Sequence, residues 1–62
     1  MSNTNDTSER EELEQMVADM SSRELRRERE HLRANAEEFL STPESSMYYD
    51  IIMRSAIERI GL

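Results

Sequence analysis

The stretch Thr42-Pro43-Glu44-Ser45-Ser46-Met47-Tyr48-Tyr49-Asp50-Ile51-Ile52-Met53-Arg54-Ser55-Ala56-Ile57-Glu58-Arg59-Ile60-Gly61 decides the fold. Thr42 offers a hydroxyl to the orphan amides of a helix start, and Pro43 suits the first helical position, where an N–H has no partner in any case. Gly61 is the residue that most readily takes the left-handed turn closing a helix. Between these signals the spacing predicts a helix over 43–60. Tyr48, Tyr49, Ile52, Met53, Ala56 and Ile60 fall on one broad face, Met47 and Ile51 form a narrower patch opposite, and Ile57 lies between. A helix that is apolar on more than one side belongs at the centre of its fold. So short a chain leaves few intramolecular neighbours for the second patch, which points to another polypeptide. Met47, Tyr48, Ile51, Ile52, Met53 and Ile57 are therefore the candidate partner-binding residues.

Upstream, two weaker helical patterns flank a serine pair. Leu13, Met16, Val17 and Met20 recur at i, i+3, i+4 and i+7, one apolar stripe of a first helix. Ser8 with Glu11 has capping-box spacing, and Glu9, Glu11 and Glu12 place negative charge at the positive helix end. This helix is expected over about 8–20, after a polar, disordered lead, residues 1–7. Ser21 with Glu24 is a second capping box, so a new helix is expected near residue 22. Leu25, Leu32, Ala36, Phe39 and Leu40 share one of its sides, and it should end at Ser41. A single helix from Ser8 to Leu40 is the competing reading, since neither glycine nor proline forces a break. The expected fold is all-α: two or three short helices (about 8–20, 22–41 and 43–60) in one small domain, 8–62, completed by dimerisation.

Size and charge sharpen that expectation. A chain of 62 residues buries only about 60% of its unfolded surface. It has no cysteine, so neither disulfides nor thiolate metal sites are on offer, and association is the natural source of further burial. The formal net charge is −6, from 14 acids against 8 bases, and every base is arginine. Residues 1–20 carry −5, residues 22–34 carry +2 and residues 35–62 carry −3. Acid excess without lysine suits a proteome in which a negative surface maintains solubility. No apolar run follows Met1 and no stretch approaches a spanning length, so the expected location is the cytoplasm, without a membrane partner.

The same composition argues against catalysis. His31 is the only histidine, and it projects beside Arg27, Glu24 and Glu38, away from the apolar stripe. A general base needs a positioned partner and an enclosed pocket. Ser41, Ser45, Ser46 and Ser55 lie in no nucleophile-elbow setting, and a phosphate-cradling loop cannot be built from Gly61 alone. Glu11, Glu12 and Glu14 lack the spacing of a calcium loop. No enzyme activity, cofactor, metal or small-molecule substrate is expected.

The arginine-rich run 23–33 is the most distinctive charge feature. Arg26, Arg29 and Arg33 stand at i, i+3 and i+7 and make a ridge that can track phosphates. Glu24, Glu28 and Glu30 interleave with it, and pairs such as Glu30–Arg33 and Arg33–Glu37 are expected to neutralise much of it. Arg29 sits at the edge of the Leu25–Leu32 stripe, where it must reach water or an acid, and where it can set register against a facing helix.

The segment Asp50-Ile-Ile-Met-Arg-Ser-Ala-Ile-Glu-Arg-Ile60 resembles the second helix of ribbon-helix-helix antitoxins and repressors. Those proteins insert an N-terminal β-ribbon into the major groove, and nothing before Ser8 alternates like a strand, so no function is carried over. Two expectations remain. The first is a non-catalytic interaction or regulatory protein acting by helix–helix association, as a homo-oligomer or docked on a larger protein. The alternative is a small DNA-binding regulator, antitoxin-like, using Arg26, Arg29 and Arg33.

Overall fold

The computed structural model describes the backbone of residues 3–61 and the side chains of residues 8–61. Among the described residues there are four helices and no strand: α1 (Asn3–Ala18), α2 (Ser22–Ala34), α3 (Ala36–Phe39) and α4 (Pro43–Ile60). None of these helices is long and apolar enough to cross a membrane.

Local chemistry accounts for most boundaries. At the start of α2 both arms of the capping box form: the Glu24 amide donates to Ser21 Oγ at 3.1 Å, and the Ser21 amide donates to Glu24 Oε1 at 2.9 Å. Two donors that would otherwise be orphaned are thereby satisfied. The two hydrogen bonds, that from the Ser21 backbone first, hold the Glu24 carboxyl below its ordinary pKa. At the start of α4, Thr42 Oγ1 accepts from the Ser45 amide at 3.3 Å, with Pro43 in the first turn. Gly61 closes α4 at φ 73°, its amide donating to Ile57 O at 3.2 Å.

Three boundaries differ from the sequence expectation. The first helix begins at Asn3, not near Ser8, because residues 3–7 contain no glycine or proline to stop the helix from running back. Ser8 therefore lies inside α1 and is not its cap. Of the expected disordered lead over 1–7, Met1 and Ser2 lie outside the described residues. The same helix stops at Ala18, two residues early: the Asp19 amide is shared between the carbonyls of Gln15 and Met16, and the Met20 amide tightens onto Val17 O. The expected helix over 22–41 breaks at Asn35. The Asn35 side-chain amide donates to His31 O at 2.9 Å while its backbone amide is shared by His31 O and Leu32 O. An asparagine that competes with the backbone in this way ends a helix without glycine or proline. The break turns Phe39 inward and leaves Leu40 52% exposed, so the five-residue stripe inferred for a continuous helix does not persist.

Long-range contacts fix the topology. Arg10 lies 3.9 Å from Asp50, and Arg59 reaches the carbonyls of Val17 and Met20, so α1 runs parallel to α4. Glu28 meets Tyr48, while Arg23 and Arg26 flank Ile60, so α2 runs antiparallel to α4. Both α1 and α2 pack on α4 more extensively than on each other. The result is an up-down-up arrangement with α4 as the common neighbour, flat in outline at 37 × 25 × 14 Å. Val17, Leu25, Leu32, Ile51, Ile52 and Ala56 form the buried core. Each fully buried aliphatic side chain of this class contributes about 1.5–3 kcal/mol.

This packing corrects the expectation for the second face of α4. The Met47–Ile51 patch does have an intramolecular neighbour. Met47 borders Leu13 and Met16 of α1, and Ile51, only 4% exposed, borders Arg10 and Glu14. A lone helix wheel shows that α4 has two apolar sides; it does not show that α1 runs parallel to it and covers one of them.

Candidate functional site

An open trough lies between the outer part of α1 and the first turns of α4. It encloses about 440 Å³ and is lined by Glu9, Glu12, Leu13 and Met16 of α1 with Glu44, Ser45, Met47 and Tyr48 of α4. That volume lies within the ~300–1,000 Å³ range of small-ligand sites, but the trough is open along its outer side. The helical periodicity that makes Leu13, Met16 and Val17 one stripe splits here into different fates. Val17 is 1% exposed, Leu13 is half-buried, and Met16 stands 58% exposed on the trough wall.

Two polar contacts hold the walls in place. Tyr48 projects its phenol across to α2, where the hydroxyl donates to Glu28 Oε2 at 2.6 Å. Burial first, then this hydrogen bond and the adjoining negative charge, raise the Tyr48 pKa well above its ordinary value. The phenol therefore stays protonated and serves as a donor. Phe39 supports the Tyr48 ring, with centroids 6.5 Å apart, and His31 meets the Phe39 ring edge-on at 5.9 Å. At the far end of α1, the Arg59 guanidinium donates to Val17 O at 3.1 Å and to Met20 O at 2.6 Å. Val17 O, which also accepts from the Met20 amide, lies in the last turn of α1, and Met20 O lies just beyond it, so a side chain of α4 ties down the C-terminal end of α1 and the turn that follows.

The sequence-derived partner residues are distributed unevenly. Met47 and Tyr48 line the trough, and Met53 is half-buried against the core. Ile51 and Ile52 are buried inside this chain, whereas Ile57 is 62% exposed and away from the trough lining. Leu13 and Met16 complete the trough. They were legible as members of the first apolar stripe, but their role as a wall depends on how α1 lies along α4.

On α2, Arg26 and Arg33 are exposed and Arg29 is half-buried. Among the described residues no acid comes within 4.0 Å of any of them; the ion pairs formed are Arg10–Glu14, Arg10–Asp50 and Arg54–Asp50. The expected Glu30–Arg33 and Arg33–Glu37 pairs are absent. Glu28 is drawn to Tyr48, which removes one of the three acids interleaved with the ridge.

His31 is exposed and packs on Phe39, and Ser45 Oγ is engaged with Thr42 Oγ1 at 2.6 Å. Among the described residues, no three histidine, cysteine or acidic side chains converge on a point that can hold a metal ion. No protein-family model, curated protein or solved structure matches this chain.

Proposed function

We infer that this chain is a non-catalytic helical interaction protein that works by helix–helix association, either with another copy of itself or docked on a larger protein. The observation that carries the reading is the trough. A fold that places both sides of α4 against its own helices still leaves a continuous apolar surface of Leu13, Met16, Met47 and Tyr48 open on one side. Such a groove suits an amphipathic helix presenting residues at i, i+3, i+4 and i+7. Methionine on the wall adapts to varied side chains, and tyrosine contributes contact area at low entropic cost.

Sedimentation equilibrium over a dilution series tests this together with methionine-methyl NMR against a panel of amphipathic helical peptides. Expected is self-association, or peptide binding, that perturbs Met16 and Met47 and is lost in Met16→Asp. A folded monomer at every concentration whose methionine signals respond to no peptide contradicts the reading.

A second reading, a small DNA-binding regulator, is favoured by one observation: Arg26, Arg29 and Arg33 have no acidic partner among the described residues. Phosphate contacts by such a ridge make binding fall steeply with salt. A duplex mobility shift at low salt that disappears in the Arg26→Glu/Arg33→Glu variant is its expected signature. Absence of any shift removes it.

A further inference from the structure

The charge around the trough identifies the kind of helix it fits. The floor and inner walls are Leu13, Met16, Met47 and Tyr48, and every charged residue in the lining is an acid: Glu9, Glu12 and Glu44. Among the described residues no base lies within ion-pair distance of these three, since Arg10 turns to Glu14 and Asp50 instead. The rim is therefore an uncompensated negative frame around an apolar slot.

That frame discriminates among occupants. A second copy presenting the same trough brings three acids against three acids, and like charges facing each other across an interface disfavour it. An anionic lipid surface or a nucleic-acid backbone meets the same repulsion. The chain's own basic helix fails for a different reason. Leu25 and Leu32, the large aliphatic residues of α2, are fully buried, so its arginine ridge has no apolar anchor to place in the slot. What fits is a helix carrying both features at once, with free aliphatic anchors on one face and bases flanking them.

We propose that the trough is the docking site for a basic amphipathic helix of a different protein, with aliphatic anchors between Leu13, Met16, Met47 and Tyr48 and arginines or lysines over Glu9, Glu12 and Glu44. This rests on the interaction reading above and adds the chemistry of the partner. The apolar floor supplies affinity, while the acidic rim, backed by the net charge of −6, steers the encounter and selects against acidic helices. Because the rim is exposed, the selection weakens with salt as the screening length shortens to about 8 Å at physiological ionic strength.

The probe is a stapled helical peptide with leucines at i, i+3, i+4 and i+7 and arginines on both flanks. Two controls accompany it: one replaces the arginines by glutamates, the other replaces the leucines by serines. Binding to the full chain is read by methionine-methyl NMR and by fluorescence anisotropy at two salt concentrations. Expected is that the arginine–leucine peptide shifts Met16 and Met47 and leaves Met53 in place. Its affinity should fall about tenfold in Met16→Asp and by a similar factor in the triple variant Glu9→Gln/Glu12→Gln/Glu44→Gln. The triple variant should also lose most of the salt dependence, and circular dichroism should confirm that both variants, altered only at exposed positions, stay folded.

Equal binding of the glutamate-flanked peptide in the trough overturns the basic-partner assignment while the interaction reading stands. Self-association of the chain through Met16 has the same consequence. Binding of the serine control as tight as that of the arginine–leucine peptide also overturns it, because charge alone is then sufficient. If no probe shifts Met16 or Met47 and the chain does not self-associate, both the assignment and the reading on which it rests fail.

Discussion

The two sides of α4 are held by different means. Against α2, two leucines with no exposed surface, Leu25 and Leu32, join Ile52 and Ala56 in the core, and Tyr48 reaches across to Glu28. Against α1, Val17 and, from α4, Ile51 are the buried contributions. The rest is half-buried Leu13, Met20 and Met47, half-exposed ion pairs at Arg10, and the Arg59 clamp on two carbonyls. Exposed ion pairs contribute about 0–1 kcal/mol each, so they add little to what Val17 and Arg59 provide. A small chain has few large apolar residues to distribute. Here α2 supplies two wholly buried leucines and α1 a single valine, and α1 lies alongside α4 with its outer stripe open, which leaves the trough.

The comparison can be broken at several points. Ile52→Ala should have the largest effect, about 2–4 kcal/mol in a urea melt, because it opens a cavity where the side chain is wholly enclosed. Its loss should destabilise the molecule throughout. Val17→Ala should cost about 2 kcal/mol, but unevenly: amide exchange should accelerate over residues 11–18 before it does over α4. Acceleration spread equally over all helices contradicts the asymmetry.

Arg59→Ala tests the clamp. Charge-assisted hydrogen bonds contribute about 1.5–3 kcal/mol when buried, and this partly exposed pair should give about 1 kcal/mol, read by thermal denaturation. The same loss should appear in faster exchange around Asp19 and Met20. Arg59→Lys should recover only part of it, since an ammonium lacks the fork that spans two carbonyls.

The smallest expected effect lies at the capping box. Ser21→Ala, at an exposed cap, should cost about 0.5 kcal/mol and should also change the response to acid. The Glu24 pKa is lowered in the fold by the Ser21 hydrogen bonds. Its contribution is therefore present above the unfolded carboxyl pKa and is lost as pH falls through the lower folded value. Stability of the wild type should decline over that acidic window more than that of the variant. The Ser21 backbone amide, the larger cause of the shift, survives in the variant, so identical pH profiles for the two proteins show that the Ser21 hydroxyl adds nothing to it.

What the sequence revealed and what it concealed divide by range. The caps at Ser21–Glu24, Thr42–Pro43 and Gly61 involve residues within a few positions of one another, and each was legible from residue type and spacing. The central role of α4 was legible too, because its apolar residues exceed one face. The break at Asn35 was local but carried no glycine or proline; the usable signal was an asparagine able to reach the carbonyl four residues back. The covering of Met47 and Ile51 by α1, the Tyr48–Glu28 bond and the Arg59 clamp join residues far apart in the chain. None follows from helical periodicity, which places a side chain on a face and leaves open which helix meets that face. The trough depends on the same information: Met16 and Val17 are sequence neighbours in one stripe, and only the path of α1 decides that one is buried and the other exposed.

Native-state hydrogen exchange on the full chain tests the uneven sharing of the core most directly. The buried amides of α2 and α4 should exchange only through global unfolding, at a common free energy, while those of residues 11–18 open at a distinctly lower one. A single free energy shared by α1, α2 and α4 contradicts the claim, because α1 is then as firmly built into the core as its neighbours.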